Sequence, residues 1–338
     1  DGSNKTEKGN VRNNEGEEGL KTDAKDTGSV KTEGFIQEEL PINDARKRDG
    51  ASYWATSNIR EWLNSEERHV KYTNPEPDYK NEAGFLYEFT EKERDAIAVT
   101  KRRAFLVGSD SKFKDGGSMS INVIPDAGSK IYLLINHAIS DFDMEWEKYN
   151  FHYINDKVFL LSPHELHFYV QQRGMSLRKK DRNGDYQGWW STANLWNSNF
   201  EMPMYILDTG HILRSTTNNR FLGIVPALHL KPNYVLSNGK KANELKIGEK
   251  VNFGKYQGKP IKWTVINKTP EGYPLLWSDE ILTIKQFQSA GEKFYRYSES
   301  INFAHFDVDI SDDLKIYNTK GDIKPPRIYV VNKKELDE

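Results

Sequence analysis

The chain has 338 residues, a length that suits one large domain or two ordinary ones. Its 48 basic and 50 acidic residues give a formal net charge of -2, so charge favours neither nucleic acid nor an acidic surface as a partner. The absence of cysteine excludes disulfides, thiolate zinc sites and cysteine nucleophiles, and no apolar run approaches the roughly 20 residues that a membrane span needs.

The first segment of the chain is dominated by Gly, Asn, Lys, Glu, Asp and Thr. Such a composition cannot bury enough apolar surface to offset the entropy lost on ordering. We therefore predict a disordered or flexible tail over residues 1–33. Order is expected to begin near Gly34.

Two short helices are predicted where a capping residue precedes apolar residues at helical spacing. Ser57 is the expected N-cap of "NIREWLN". Thr90 is the expected N-cap of "EKERDAI", because Glu93 three residues later completes a capping box. In the second helix we expect Ile97 to continue the apolar face.

The stretch "VFLLSPHELHFYV" places His164, Glu165 and His167 within four positions, which raises the question of a metal or acid–base site. A zinc helix needs two histidines four residues apart with a glutamate between them, and here they are three apart. Ser162 and Pro163 are instead a typical N-cap and first helical residue. The stretch therefore predicts a short buried strand followed by the start of a helix.

Further along, "MYILDTGHILR" predicts a β-hairpin whose turn is Asp208-Thr209-Gly210. These letters also match an aspartic protease signature, but such an enzyme needs a second aspartate motif, and the chain has no other D-T-G or D-S-G. "LGIVPALHL" predicts a buried strand broken by Pro226. "KVNFGKY" and "IKWTVI" predict strands in the region after residue 245.

Two acidic stretches have the spacing of a calcium loop, one beginning at Asp181 and the other at Asp307. Neither has the glycine and glutamate that an EF-hand needs at its sixth and twelfth positions. We expect solvated turns, no metal site and no cofactor, with calcium binding through another geometry left open. The stretch from Asp141 to Glu147 alternates acidic and apolar residues, which is typical of a half-buried strand, but it could also carry the paired carboxylates of a glycosidase.

Several of these pieces, in this order, resemble the DUF6273 family of uncharacterised bacterial and phage domains. "IREWLN", "FTEKERDAI", "DKVFLLSPHEL" and "GIVPALHL" match pieces of its pattern over residues 34–232. The opening of that pattern is matched only later, by "VNFGKYQGKPIKWTVI" and "PLLWSDEIL". The resemblance thus implies two incomplete copies: residues 34–232, lacking an opening sheet unless it precedes Asp1, and a partial second repeat over 245–338, joined by a linker over 233–244.

The close of the first copy, a Trp-rich strand, a hairpin and then "GIVPAL", is similar to the end of C-type-lectin-like folds. It departs from the family pattern where "WWSTANLW" replaces "WWLRSP" and Ile224-Val225 replaces Val-Arg. The resemblance implies an α+β protein, with a C-type-lectin-like domain followed by a smaller strand-rich partial repeat. Formylglycine-type oxidase chemistry needs cysteines, so the binding members of that fold are the better analogy.

Tryptophan and asparagine residues near this close suit stacking on sugars and hydrogen bonding to their hydroxyls. Adjacent residues of a strand point to opposite faces, so at most one of Trp189 and Trp190 is expected to fill a given core. The remaining tryptophan would pack beneath a loop or face a ligand. The predicted ligand-binding residues are Trp190, Asn194, Trp196, Asn199, Asn218, Asn219 and Arg220.

No credible catalytic set is present in the sequence, so a non-catalytic recognition module is the preferred interpretation. It would act on a bacterial surface or a phage particle, outside the cell, and bind a cell-surface glycan or protein. It would bind no nucleic acid, would not insert into membranes, and could belong to a homo-oligomer or a larger assembly. The alternatives are a polysaccharide hydrolase with paired carboxylates and a structural unit of a virion or surface fibre.

Overall fold

The computed structural model describes residues 36–39, 42, 44–105, 137–138, 151–162, 165–166, 169, 174–195, 202–298 and 308–309. Within these ranges the protein consists mostly of β-strands with a few short helices, in broad agreement with the α+β class. None of the helices described is long and apolar enough to cross a membrane. The predicted tail over 1–33 lies outside the described residues.

The secondary structure comprises three α-helices, two short 3-10 helices and nineteen strands in the described ranges. The α-helices are α1 (Asp44–Asp49), α2 (Asn58–Leu63) and α3 (Glu91–Ala96), and the 3-10 helices span Trp54–Thr56 and Ala242–Glu244. The strands are β1 (Ile36–Glu39), β2 (Ile97–Ala98), β3 (Thr100–Phe105), β4 (His137–Ala138), β5 (Phe151–Asp156), β6 (Val158–Phe159), β7 (Lys179–Lys180), β8 (Tyr186–Gln187), β9 (Trp189–Leu195), β10 (Met202–Ile206), β11 (His211–Arg214), β12 (Gly223–Ile224), β13 (Ala227–Leu230), β14 (Lys250–Tyr256), β15 (Lys259–Lys268), β16 (Pro274–Ser278), β17 (Thr283–Ile284), β18 (Tyr295–Ser298) and β19 (Val308–Asp309).

Two six-stranded sheets form the body of the fold. The first has the order β17-β12-β9-β10-β11-β4, and the second has the order β14-β15-β16-β13-β2, with β6 also paired to β13. Smaller sheets consist of β19-β3-β5, β1-β18 and β7-β8. The tryptophan strand β9 and the closing strand β13 therefore each lie inside a six-stranded sheet.

The two predicted capping motifs are confirmed. The Ser57 side chain accepts a hydrogen bond from the Arg60 backbone at the start of α2, and Thr90 and Glu93 form a reciprocal capping box at the start of α3. The prediction for Ile97 was wrong, because α3 ends at Ala96. Ile97 begins β2 and is buried against β13, so pairing with the sheet overrides the helical spacing.

The start signals after β6 are also confirmed. The Ser162 backbone N–H donates to Glu165 Oε2 at 2.7 Å, and the Glu165 N–H donates back to Ser162 Oγ at 3.3 Å. The Leu166 N–H then donates to the Ser162 carbonyl oxygen at 2.9 Å, which is the first helical turn. His164 and His167 lie outside the described residues.

The hairpin and the broken strand follow the sequence prediction. β10 and β11 pair antiparallel on either side of the Asp208-Thr209-Gly210 turn, where Gly210 has a φ of 90°. β12 pairs with β17 in the first sheet, whereas β13 pairs with β16 in the second. Pro226 stands between β12 and β13, and it cannot donate a ladder hydrogen bond, so the chain passes from one sheet to the other there.

The strands after residue 245 complete the sheets of the preceding region rather than forming a core of their own. Trp277 on β16 packs against Trp189 on β9, with ring centres 5.7 Å apart. One connected hydrophobic cluster extends from Ala51 to Phe294. Segment 233–244 belongs to it through buried Leu236 and Ala242. The predicted boundary at 233–244 therefore does not separate two cores.

A buried ion pair ties α2 to β5. Arg60 Nε donates to Asp156 Oδ1 at 2.6 Å, and Trp54 Nε1 donates to Asp156 Oδ2 at 2.8 Å. The side chains of Arg60 and Asp156 are 5% and 0% exposed. Because both carboxylate oxygens are occupied, this buried charge is compensated by an opposite charge and by hydrogen bonds.

Candidate functional site

Trp190 belongs to the core and is not an exposed ligand-binding residue. Its side chain has no exposed surface, and its Nε1 donates to the Lys285 carbonyl oxygen at 2.8 Å. Its ring packs against Phe287 at a centre distance of 5.6 Å. The neighbouring Trp189 is equally buried on the other face of β9. Both faces of β9 are covered at Trp189 and Trp190, so neither tryptophan is left to face a ligand.

Of the other residues predicted near the tryptophans, the structure describes only the backbone position of Asn194. Asn194 lies on β9, opposite Pro203 on β10. Trp196 and Asn199 lie outside the described residues. The predicted ligand-binding set is therefore reduced, within the part of the chain that the structure describes in full, to Asn218, Asn219 and Arg220.

The loop that carries these three residues is anchored at its first position. The buried Thr217 hydroxyl donates to the Asp49 carbonyl oxygen, and the Phe287 N–H donates to the Thr217 carbonyl oxygen at 2.8 Å. Gly50 has a φ of 95°, and a Cβ there would lie 2.7 Å from both Thr217 Oγ1 and the Ser289 carbonyl oxygen. Only glycine allows this approach of three chain segments, which holds the loop against the 286–290 region.

An open pocket of about 380 Å³ lies where this loop meets two other segments, and we name it the Arg220 pocket. Asn218 and Arg220 line one side, while Asn219 does not line it. The complete lining consists of Glu76, Pro77, Asp78, Lys80, Asn218, Arg220, Gln286, Ser289 and Ala290. Two of the seven predicted ligand-binding residues thus share a concave surface.

Hydrogen bonds fix the floor of the Arg220 pocket. Gln286 is 3% exposed, and its Nε2 donates to Ser289 Oγ at 2.6 Å. Ser289 Oγ donates in turn to the Glu76 carbonyl oxygen at 2.9 Å, and the Ser289 N–H donates to Asn58 Oδ1 at 2.9 Å. The Tyr79 hydroxyl donates to the Gln286 carbonyl oxygen at 3.2 Å. The polar floor is therefore positioned before any ligand arrives.

The rim of the pocket carries balanced charge. Arg220 Nε lies 3.2 Å from Asp78 Oδ2, and Lys80 Nζ lies 2.7 Å from Glu76 Oε2. In both pairs each side chain is at least 36% exposed, so these ion pairs are weak and can be exchanged for contacts with a ligand. The next residue, Phe221, is 81% exposed. An exposed apolar ring thus follows the rim residue Arg220 in the chain, although Phe221 does not line the pocket.

Asn219 shapes the loop rather than the pocket. Its Nδ2 donates to Ser215 Oγ at 2.7 Å, and its Oδ1 accepts a hydrogen bond from the Phe221 N–H at 2.8 Å. The sequence interpretation missed Phe221, although its position directly after a polar turn was a signal. It also missed the 76–80 and 286–290 segments, which lie far from the loop in sequence and carry no local pattern that points to it.

The acidic turn beginning at Asp181 has a structural role in this protein. Asp181 Oδ1 accepts hydrogen bonds from the backbone N–H groups of Asn183 and Asp185 at 2.8 and 3.0 Å, and its Oδ2 accepts one from Gln187 Nε2 at 3.0 Å. No group of three or more His, Cys, Asp or Glu residues that could hold a metal occurs among the described residues. The stretch from Asp141 to Glu147 lies outside them.

A second polar cluster lies in the core, away from solvent. His229 on β13 is 1% exposed, and its Nδ1 lies 3.1 Å from Thr100 Oγ1. Its Nε2 has no hydrogen-bond partner among the residues that the structure describes. Burial, with a further contribution from the Arg102 charge, lowers the pKa of His229 from 6.5 to about 3. Arg102 is paired with Glu165. The imidazole is therefore neutral at neutral pH and acts as a core residue.

Comparison with known proteins identifies the family and leaves its function open. The model of the family described as "Domain of unknown function (DUF6273)" matches residues 33–232. No curated protein and no solved structure matches the chain. Because the family match covers more than half of the 338 residues, the protein belongs to the DUF6273 family of domains of unknown function.

Proposed function

We propose that this protein is a non-catalytic recognition module that binds a cell-surface glycan or protein through the Arg220 pocket. The observation that carries the proposal is the pocket itself, in which a fixed polar floor is combined with an exposed, exchangeable rim. A concave site with a few positioned polar groups is the usual form of a small-ligand site. The exposed ring of Phe221, the residue after Arg220, offers an apolar surface for the face of a sugar.

The charge of the pocket favours a glycan over a polyanion as its ligand. Glu76 and Asp78 contribute two negative charges to the lining, and Lys80 and Arg220 contribute two positive charges. A ligand with many hydroxyl groups can exchange hydrogen bonds with all four side chains without leaving an unpaired charge. A strongly charged ligand would have to displace one ion pair and leave its partner unsatisfied.

The proposal also includes the place where the protein acts. We place the module on a bacterial surface or a phage particle, outside the cell, because the motif pattern resembles bacterial and phage domains. A C-type-lectin-like close is supported by the order of β9, the β10–β11 hairpin and the β12–β13 segment. Oligomerisation or incorporation into a larger assembly remains part of the proposal.

The test is binding of the purified protein to a panel of bacterial surface glycans and to whole cells, with calcium and with chelator. Released sugar is assayed in the same wells. We expect saturable binding without product, weakened roughly tenfold by Arg220→Ala, because loss of one or two hydrogen bonds to a charged group corresponds to about one decade in Kd. Arg68→Ala is the matched control, since Arg68 is an exposed arginine outside the pocket lining.

Three other outcomes would each change the assignment. Released sugar would favour the polysaccharide hydrolase, with carboxylates from the Asp141–Glu147 or Asp307–Asp313 stretch. Binding that needs calcium would show that a metal takes part. If the protein neither binds a glycan nor releases sugar, the remaining alternative is a structural role as an assembly unit of a virion or surface fibre. Binding weakened equally by the Arg68 and Arg220 variants would place the ligand outside the pocket.

A further inference from the structure

A second surface of the protein presents cations that are positioned but not neutralised. Arg178 precedes β7, Lys180 ends β7, and Tyr186 begins β8 opposite Lys180. All three are exposed, with Tyr186 at 45%. The Arg178 guanidinium carbon lies 4.2 Å and Lys180 Nζ lies 4.9 Å from the centre of the Tyr186 ring. We name these three residues the Tyr186 patch.

Neither cation of the Tyr186 patch forms an ion pair with a carboxylate in the described ranges. The aromatic ring attracts a cation without removing its charge, so both positive charges stay available. Asp181, the acidic residue that follows Lys180 in the chain, accepts three hydrogen bonds within that turn. Asp185 is the exposed carboxylate of the same hairpin. Within the described ranges it forms no ion pair with either cation, so both cations can still pair with a ligand.

Contacts of Lys179 and Arg178 hold the patch in place. Lys179, between the two cations, is buried, and its Nζ donates to the Ser278 carbonyl oxygen at 2.7 Å. The same Nζ lies 3.4 Å from the centre of the Trp277 ring, so β7 is fixed to the second six-stranded sheet. Arg178 Nε donates to the Asp208 carbonyl oxygen at 2.8 Å. The two charges therefore lie on a positioned hairpin, which reduces the entropy lost on binding.

We propose that the Tyr186 patch binds an acidic polysaccharide, whose repeated anionic groups pair with Arg178 and Lys180. A guanidinium and an ammonium group that both contact one ring suit a polymer with one acidic group per repeat, whether the group is a carboxylate or a phosphate. The formal net charge of -2 argues against nucleic acid, which needs a wider basic surface. This interaction is independent of the Arg220 pocket, since no residue of the patch lines that pocket.

The test uses the full chain and three immobilised polymers: polygalacturonate, poly(glycerol phosphate) and neutral dextran. We expect binding to one or both acidic polymers at low ionic strength, weakening as salt is added, and no binding to dextran. The Arg178→Ala/Lys180→Ala double variant should weaken binding by roughly tenfold, as expected for two partly exposed ion pairs. Tyr186→Leu keeps both positive charges but removes the ring that holds them in place, so it should weaken binding less than the double variant does.

A matched control separates the patch from general charge. Lys255→Ala/Lys259→Ala also removes two exposed positive charges, from the β14–β15 hairpin, and should leave binding unchanged. Arg220→Ala should also have no effect, so failure of the pocket proposal and failure of this one can be told apart. Equal losses in both double variants, no binding to either acidic polymer, or tighter binding to a single-stranded DNA oligonucleotide would each overturn the proposal.

Discussion

The buried histidine predicts a specific loss of stability in mild acid. His229 has a folded-state pKa of about 3 against 6.5 for the free side chain, because burial disfavours its charged form. As the pH falls below 6.5, the unfolded state takes up a proton that the folded state does not bind. The free energy of unfolding must therefore decrease with falling pH in this window, and be independent of His229 above it.

The size of the effect follows from the separation of the two pKa values. Each pH unit between them corresponds to about 1.4 kcal/mol, so a change from about pH 7 to about pH 5 should cost about 2 kcal/mol through His229 alone. His229→Gln cannot take up a proton in this range, so its free energy of unfolding should change less over the same interval. The Gln side chain can still contact Thr100, the hydroxyl partner of the imidazole.

The assay is urea unfolding followed by tryptophan fluorescence, at several pH values, on the wild type and on His229→Gln. The quantity compared is the difference between the two pH slopes, because carboxylates contribute equally to both. His69→Gln is the control, since His69 is exposed and its replacement should leave the wild-type slope unchanged. Parallel curves for the wild type and His229→Gln would refute the reasoning, because they would show that His229 is protonated equally in both states.

Three further predictions concern packing and backbone geometry. Trp277→Ala should lower the free energy of unfolding by about 3–5 kcal/mol. Urea unfolding of this variant should still show one transition, because the strands before and after residue 245 share one core, and two transitions would contradict this. Asp156→Asn leaves a buried guanidinium without its counter-charge, so the urea midpoint should report a loss of about 3–5 kcal/mol, and a loss below about 1 kcal/mol would show that the pair behaves as an exposed one. Gly254→Ala directs a Cβ onto the buried Phe89 ring, whereas Gly258→Ala has a similar φ (71° against 68°) and open space. At Gly258 we expect backbone strain alone to lower the free energy of unfolding by about 1–2 kcal/mol. Thermal unfolding should show a larger decrease for Gly254→Ala. Equal decreases in the two variants would mean that the Phe89 ring moves aside.

Features that depend on neighbouring residues could be predicted from the sequence. The caps at Ser57, Thr90 and Ser162 are local hydrogen bonds between residues three positions apart, and all are present. The Asp208-Thr209-Gly210 turn needs a left-handed residue that glycine supplies. The wrong prediction for Ile97 marks the limit, since a helical spacing cannot show that a sheet edge lies close enough to take the residue.

The candidate site could be predicted only in part, because it is made of segments distant in sequence. Asn218 and Arg220 were identified from their chemistry, but the opposite wall at 76–80 and the floor at 286–290 meet them only in the folded chain. Trp190 shows the converse limit. Alternation along a strand indicates that two adjacent tryptophans face opposite ways, but it cannot indicate that both faces are covered.

The pieces that read as two incomplete copies complement each other in the fold. In the predicted division, residues 34–232 lack the opening sheet of the family pattern, and the strands predicted to match that opening, β14 to β16, follow the closing strand β13 in the chain. In the structure β16 pairs with β13, and β17 pairs with β12. A sheet needs neighbours on its edges whatever their order in sequence, and a longer connection adds only a small entropic cost. The later segment can therefore supply the missing strands, which is why a substitution at Trp277 should destabilise the family-matched region as strongly as one within it.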